Sequence, residues 1–158
     1  MEIQHLLAPT DCSGPANRVV TAAFGLAQTV GAKLTVLPIV EPPSYLVDSQ
    51  ASAHRGPLPL AALEEQARRE SDQLLSQLRG TPVELAHRVM VGLPYQRMTE
   101  RASTEPVDLL VIATHVRTGL RHLVLGSVPE RVVRPAPCPV LTIRPPGDRS
   151  LGLRTTVV

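Results

Sequence analysis

The chain has 158 residues, enough to bury a hydrophobic core as one domain without disulfide or metal support. Sixteen Lys and Arg residues against 14 Asp and Glu residues leave a formal net charge of +2, too small a field to attract nucleic acid or a membrane surface. One Phe, two Tyr and no Trp argue against an aromatic surface for single-stranded nucleic acid, and they predict an aliphatic core.

A short strand and a capped helix open the chain. Residues 2–8 predict an aliphatic strand, which the sequence PTDCSGP then interrupts. Ser13 is a residue type that caps helices, and Pro15 suits the first helical turn. Val and Ala recur at helical spacing until Gly31, which predicts the end of the helix.

A second strand, a long loop and a second helix follow. Lys33–Val40 predicts a buried strand, but Pro38 lacks an N–H group for the sheet, so we expect a bulge or an early end there. Residues 41–57 contain Pro, Ser and Gly without periodicity and predict a loop. Leu and Ala at helical spacing predict an amphipathic helix over residues 60–78 that ends near Gly80.

The second half of the chain predicts three more strands. Pro82–Val91 is the third, and the sequence GLP after it leads into a third helix. Val107–Ala113 is the fourth strand, and Val140–Ile143 is the fifth. Between these two strands, a polar loop leads to a helix that begins at Gly126. This alternation of strands and helices predicts βαβ units and therefore a parallel sheet.

Ligands on such sheets bind beyond the carboxyl ends of the strands, where the strand order reverses. An acid there can accept hydrogen bonds from a sugar or a base edge, and an apolar side chain can pack on a base. A loop that leads to a helix N-terminus can hold phosphates. The candidates are Pro9, Thr10 and Asp11 after the first strand, Ile39 in the second, and the loop from Ala113 to Ser127 after the fourth.

Each candidate also has a simpler structural interpretation. Asp11 could organise or cap the turn that precedes the first helix. Ser127 could be only an N-cap. Arg117, Arg121 and His122 could supply cations to a phosphate, or they could be solvated loop charges.

The sequence predicts no catalytic centre and no metal site. It contains no G-x-S-x-G sequence, no Cys and His pair, no clustered carboxylates, no P-loop and no strand-linked G-x-G-x-x-G. His115 and His122 have no Cys or carboxylate companions at the spacing of metal ligands. We therefore expect a protein that is not an enzyme.

The composition also favours a cytoplasmic protein with no membrane partner. The N-terminal sequence MEIQHLLAPTD lacks the basic and long apolar regions of a signal peptide, and no apolar run approaches membrane-spanning length. Two cysteines are too few for the disulfide framework of a secreted protein.

Three stretches of the chain resemble the universal stress protein family: LLAPTDCS, VGLP and THVRTGLRHLVLGSVPERVVRPAPCPVLTIR. The resemblance covers residues 2–144, so we expect one domain over 1–144 and a C-terminal tail over 145–158. It implies a three-layer α/β/α fold, Rossmann-like and adenine-nucleotide alpha hydrolase-like, with a five-stranded parallel sheet in the order 3-2-1-4-5. It also implies homodimers and, for many members, ATP bound by the pattern G-x2-G-x9-G-[ST], with which Mg²⁺ could be bound.

Residue by residue, part of the family's site is present. Asp11 stands at the position of the Asp that follows the first strand, near the nucleoside. Ile39 occupies the apolar position beside the base, and Ile112 comes just before the glycine pattern. Gly126 and Ser127 match its final G-[ST].

Two of the three glycines in that pattern are replaced. Ala113 stands at the first and adds one methyl group, which a small shift could absorb. Val116 stands at the second, where a need for positive φ would cost a β-branched residue about 1–3 kcal/mol. The spacing is intact, and the resemblance adds His115, Arg117 and Val128 to the candidate binding residues.

These patterns together predict a dimeric, cytoplasmic stress-response protein that binds ATP or another adenine nucleotide. The main alternative is a dimeric interaction protein of the same fold that binds no nucleotide; an adenylate-transferring enzyme would need signatures that the sequence lacks. The fifth strand would be an exposed edge, which pairing with a second chain would cover. The predicted interface residues are Val140, Leu141, Thr142 and Ile143.

Overall fold

The computed structural model describes residues 2–42, 59–113, 131–143 and 156–157. The strands are β1 (His5–Thr10), β2 (Lys33–Val40), β3 (Leu85–His87), β4 (Met90–Val91), β5 (Leu109–Ala113), β6 (Val140–Ile143) and β7 (Thr156–Val157). The helices are α1 (Gly14–Val30), α2 (Leu60–Leu78) and α3 (Pro94–Thr104). Residues 131–133 are also helical. Within the described ranges, no helix is both long and apolar enough to cross a membrane.

The strands form one sheet in the order β3-β2-β1-β5-β6-β7, and β4 pairs with β2 beyond the end of β3. Every pair is parallel except β6 with β7. The predicted third strand corresponds to β3 and β4, and the predicted fourth and fifth strands are β5 and β6. The predicted strand order and parallel α/β fold are therefore confirmed.

Helices cover both faces of the sheet because consecutive strand residues point to opposite faces. The core beneath α1 and α2 is aliphatic apart from one Phe, and it contains Leu6, Ala8, Val19, Val20, Ala23, Phe24, Ala27, Leu34, Val36, Leu74, Leu75, Leu109 and Val111. The core beneath α3 and residue 132 contains Leu7, Leu37, Ile39, Met98, Ala102, Val107, Leu110, Ile112, Val132 and Val140. These two cores make three layers.

The ends of α1 follow the prediction. The Ser13 Oγ accepts a hydrogen bond from the Ala16 N–H, and Gly31 ends the helix with a φ of 71°. The first strand is displaced from the predicted residues 2–8, since β1 begins at His5 and continues through Thr10. Its last residues stay in the sheet because their register with β2 is unbroken.

The prediction of a bulge or an early end at Pro38 is wrong, because β2 runs through it to Val40. The N–H of Leu34 and the carbonyls of Val36 and Val40 form hydrogen bonds on the side of β2 that faces β3 and β4. Because every second residue of a strand directs its backbone groups to the same side, the Pro38 nitrogen faces that side too. The Pro38 nitrogen, which has no hydrogen to donate, lies opposite residues 88–89, and these residues separate β3 from β4. Pro38 therefore interrupts the neighbouring strand rather than its own.

The fifth predicted strand is not at the edge of the sheet. β7 pairs antiparallel with β6, with Leu141 opposite Val157 and Thr142 opposite Thr156. β7 therefore covers the central two residues of the edge that a fifth strand would expose.

Candidate functional site

The carboxyl ends of β1, β2 and β5 lie side by side at one edge of the sheet, as parallel strands require. β1 is hydrogen-bonded to β2 along its whole length, but its ladder with β5 stops after Leu6–Leu109 and Leu7–Leu110. The His5 carbonyl accepts a hydrogen bond from the Asp108 N–H, on the side of β1 that faces β5. Because every second residue of a strand directs its backbone groups to the same side, the Pro9 nitrogen also faces β5. Because Pro9 has no N–H, the ladder ends where the strand order reverses.

Thr10 holds the turn between β1 and α1. Its buried hydroxyl accepts a hydrogen bond from the Cys12 N–H at 2.9 Å and donates to Asn17 Oδ1 at 3.4 Å. The Asn17 amide returns a hydrogen bond to the Cys12 carbonyl at 3.3 Å. These bonds hold Cys12 at a φ of 62°, which non-glycine residues rarely adopt.

The structure shows the structural role of Asp11 and leaves part of its carboxylate exposed. Its Oδ1 accepts a hydrogen bond from the Ser13 N–H at 2.9 Å, which is the structural role. The side chain is nevertheless exposed at the carboxyl edge, and its Oδ2 has no partner among the described residues. The carboxylate can therefore order the turn with one oxygen and accept a ligand hydroxyl with the other.

The apolar candidates are mostly enclosed. Ile39 and Ile112 are 8% and 2% exposed and pack in the core beneath α3 with Met98 and Ala102. Ala113 is partly buried and packs against the other core. Ile39 therefore offers little surface to a base in this arrangement.

The structure brings the candidates of β1, β2 and β5 to one edge of the sheet. The candidates that lie outside the described residues are His115, Val116, Arg117, Gly126, Ser127 and Val128. The described part of the site thus contains a carboxylate and apolar side chains, and the predicted phosphate-binding part follows Ala113 directly in sequence.

A polar cavity of about 330 Å³ lies next to this edge, between α1 and α2. Sequence reasoning missed it, although its polar side chains recur at helical spacing on facing sides of the two helices. They are Asn17, Arg18, Thr21, Glu70, Gln73 and Gln77. Cys12 also lines the cavity, and burial, followed by the charges of Glu70 and Asp11, raises the pKa of its thiol to about 11. A raised pKa favours the protonated thiol over the nucleophilic thiolate near neutral pH.

No three His, Cys, Asp or Glu side chains in the described ranges come close enough together to hold a metal ion.

A model of the universal stress protein family matches residues 2–144, nearly the whole chain. The chain belongs to the universal stress protein family. The universal stress protein in the QAH/OAS sulfhydrylase 3′ region of Thermus aquaticus is 34% identical to it over 143 residues, which are 88% of this chain and 97% of the relative.

Solved structures agree with this assignment. A universal stress protein in complex with cAMP is 26% identical, with a TM-score of 0.58 over 90% of this chain and 97% of that one. The protein MJ0577 from Methanocaldococcus jannaschii has a TM-score of 0.74 over 94% of this chain and all of that one. Its identity of 20% makes this a similarity of fold.

Proposed function

We propose that this universal stress protein is a cytoplasmic homodimer that binds ATP or another adenine nucleotide and acts as a regulator, not an enzyme. The nucleotide lies beyond the carboxyl ends of β1, β2 and β5. Asp11 accepts hydrogen bonds from the ribose, and the segment from Ala113 to Ser127 holds the phosphates, with Mg²⁺ as their counter-ion. Nucleotide binding at this edge would then control which proteins the dimer binds.

The exposed carboxylate of Asp11 carries this proposal. It follows the carboxyl end of β1, beyond the last pair of the β1–β5 ladder, and its Oδ2 has no hydrogen-bond partner among the described residues. A carboxylate at this place suits the hydroxyl groups of a ribose, because hydrogen bonds to a charged acceptor are the stronger kind. The cAMP complex of a family member supports the same ligand class, since cAMP is an adenine nucleotide.

A dimeric interaction protein without a nucleotide is the second candidate. The burial of Ile39 favours it, because the side chain that would meet the base already packs in the core. Ala113 and Val116 favour it too, since both stand where the family pattern has glycine.

Calorimetric titration with ATP and Mg²⁺ tests the role of Asp11. Asp11→Asn keeps an oxygen for the Ser13 N–H but removes the charge, whereas Asp11→Ala removes both. We expect each variant to weaken ATP binding about tenfold, the size of one charged hydrogen bond. If both variants bind ATP as tightly as the natural chain, the nucleotide site is elsewhere.

The same titration, applied to variants of Val116, distinguishes the nucleotide-binding protein from the interaction protein. Val116→Gly should tighten ATP binding if this position needs positive φ, and Val116→Ala is the matched control because it shortens the side chain without freeing the backbone. An affinity that neither change alters would remove Val116 from the site. Failure of all these proteins to bind millimolar ATP would favour the interaction protein.

A further inference from the structure

β7 occupies the middle of the outer side of β6. On its inner side, all four residues of β6 pair with β5. On its outer side, Leu141 and Thr142 pair with Val157 and Thr156 of β7. Because a strand forms ladders on two sides only, a second strand cannot pair with Leu141 and Thr142 on the outer side while β7 is in place.

This pairing conflicts with the homodimer. A two-fold dimer that joins β6 to β6 of a second copy needs the same outer side. The partner strand would run antiparallel to β6, which is also the direction of β7. A second copy and β7 therefore exclude each other at this edge.

Two effects act in opposite directions on this competition. β7 contributes two residues to the ladder, whereas a second β6 could contribute four. One net hydrogen bond changes an equilibrium constant by roughly a factor of five, which favours the longer strand. Against this, β7 is part of the same chain, so its effective concentration is on the order of millimolar.

We propose that β7 and a second copy of this chain compete for the outer edge of β6, so that the C-terminal strand sets the affinity of the dimer. The inference rests on the homodimer of the proposed function and adds a control to it. Anything that binds or modifies the C-terminal segment and releases β7 would raise the dimer fraction, and anything that holds β7 on β6 would lower it.

A proline in β7 of the 158-residue chain tests the competition. Thr156→Pro removes a backbone N–H and disfavours the ladder, and Thr156→Val is the matched control because it keeps a β-branched residue. Sedimentation equilibrium over a range of concentrations should give a dimer dissociation constant at least tenfold lower for Thr156→Pro than for the control. An equal or higher constant would overturn the inference, and a higher one would place β7 inside the dimer interface.

Locking β7 in place should have the opposite effect. Leu141 and Val157 lie directly opposite each other, so Leu141→Cys with Val157→Cys can form a disulfide in a chain that also carries Cys12→Ser and Cys138→Ser. We expect the oxidised protein to dimerise at least tenfold more weakly than the same protein after reduction. A dimer unaffected by oxidation would contradict the competition.

These experiments separate the failure of the inference from that of the proposed function. If the natural chain dimerises and neither intervention changes its affinity, the inference alone is wrong. If the natural chain, Thr156→Pro and the reduced protein all remain monomeric at several hundred micromolar, the homodimer is wrong as well. ATP titration of the same proteins tests nucleotide binding independently of both.

Discussion

At the scale of the residue, His5 links three segments at the amino end of the sheet. Its Nδ1 lies 3.1 Å from the Pro106 carbonyl, and its Nε2 lies 2.8 Å from the Thr35 hydroxyl. Since a carbonyl can only accept, Nδ1 carries the proton, and Nε2 of the neutral ring accepts from Thr35. Burial, followed by the charge of Lys33, lowers the pKa of His5 below its usual 6.5.

This lowered pKa predicts a loss of stability in mild acid. As the pH falls below about 6.5, the unfolded chain binds a proton at His5 before the folded chain does, so the free energy of unfolding decreases. It should decrease until the pH passes the folded-state pKa. We expect His5→Gln, which keeps polar groups for Thr35 and Pro106, to show a flatter profile in urea unfolding between pH 7.5 and 5.5. Parallel profiles for the two proteins would contradict this role of His5.

At the scale of the element, two prolines shape the sheet where the candidate site lies. Pro9 in β1 pairs with Leu37, and the next residue of β1 pairs with Pro38. The Pro9 nitrogen faces β5 and the Pro38 nitrogen faces β3 and β4, so the ladders on the two outer sides of β1 and β2 are both interrupted at this level. The ladder between β1 and β2 stays whole and keeps the strands in register.

Replacing glycine by alanine should change the free energy of unfolding in opposite directions at Gly92, in the turn between β4 and α3, and at Gly25, in α1. Gly92 has a φ of 139°, and a Cβ there would lie 2.7 Å from Arg97 Nε. We expect Gly92→Ala to lower the free energy of unfolding by about 1–3 kcal/mol. Gly25 lies within α1 with nothing near its missing side chain, so Gly25→Ala should raise it by about 0.5–1 kcal/mol. Thermal or urea unfolding measures both, and equal effects would contradict this account of the turn.

The elements also show how far sequence reasoning reaches. Alternating strands and helices were enough to predict the parallel sheet, and the family resemblance supplied its strand order. Pro38 marked the correct place for an interruption, but only the direction of its nitrogen decides which strand is broken. β7 was missed as a partner of β6 because a two-residue strand has no periodicity, and pairing across the chain leaves no local signal.

The candidate site was predictable in its position and less so in its contacts. Strand polarity placed Asp11 at the carboxyl edge, and the structure places it there, exposed. The hydrogen bond that the Asp11 carboxylate accepts from the Ser13 N–H is local and was among the roles that the sequence allowed, whereas the enclosure of Ile39 depends on packing between distant segments. Ile39 illustrates the limit, since its residue type suits both a base and a core.

At the scale of the whole molecule, the proposed nucleotide site and the proposed dimer edge lie on neighbouring strands of the sheet, β5 and β6. One is the carboxyl edge at β1 and β5, and the other is the outer side of β6, where β7 pairs with Leu141 and Thr142. Residues 114–139 of the chain connect these two strands and contain most of the glycine pattern. A nucleotide held there would contact the segment that leads directly into the proposed dimer strand.

The most direct test of nucleotide binding is to denature the purified protein and identify the small molecules that it releases. Chromatography and mass spectrometry of the released fraction should find an adenine nucleotide at up to one molecule per chain, and ATP should titrate onto the emptied protein after refolding. A blank released fraction, together with no heat of binding at millimolar ATP and Mg²⁺, would contradict the proposal and leave the dimer as the functional unit.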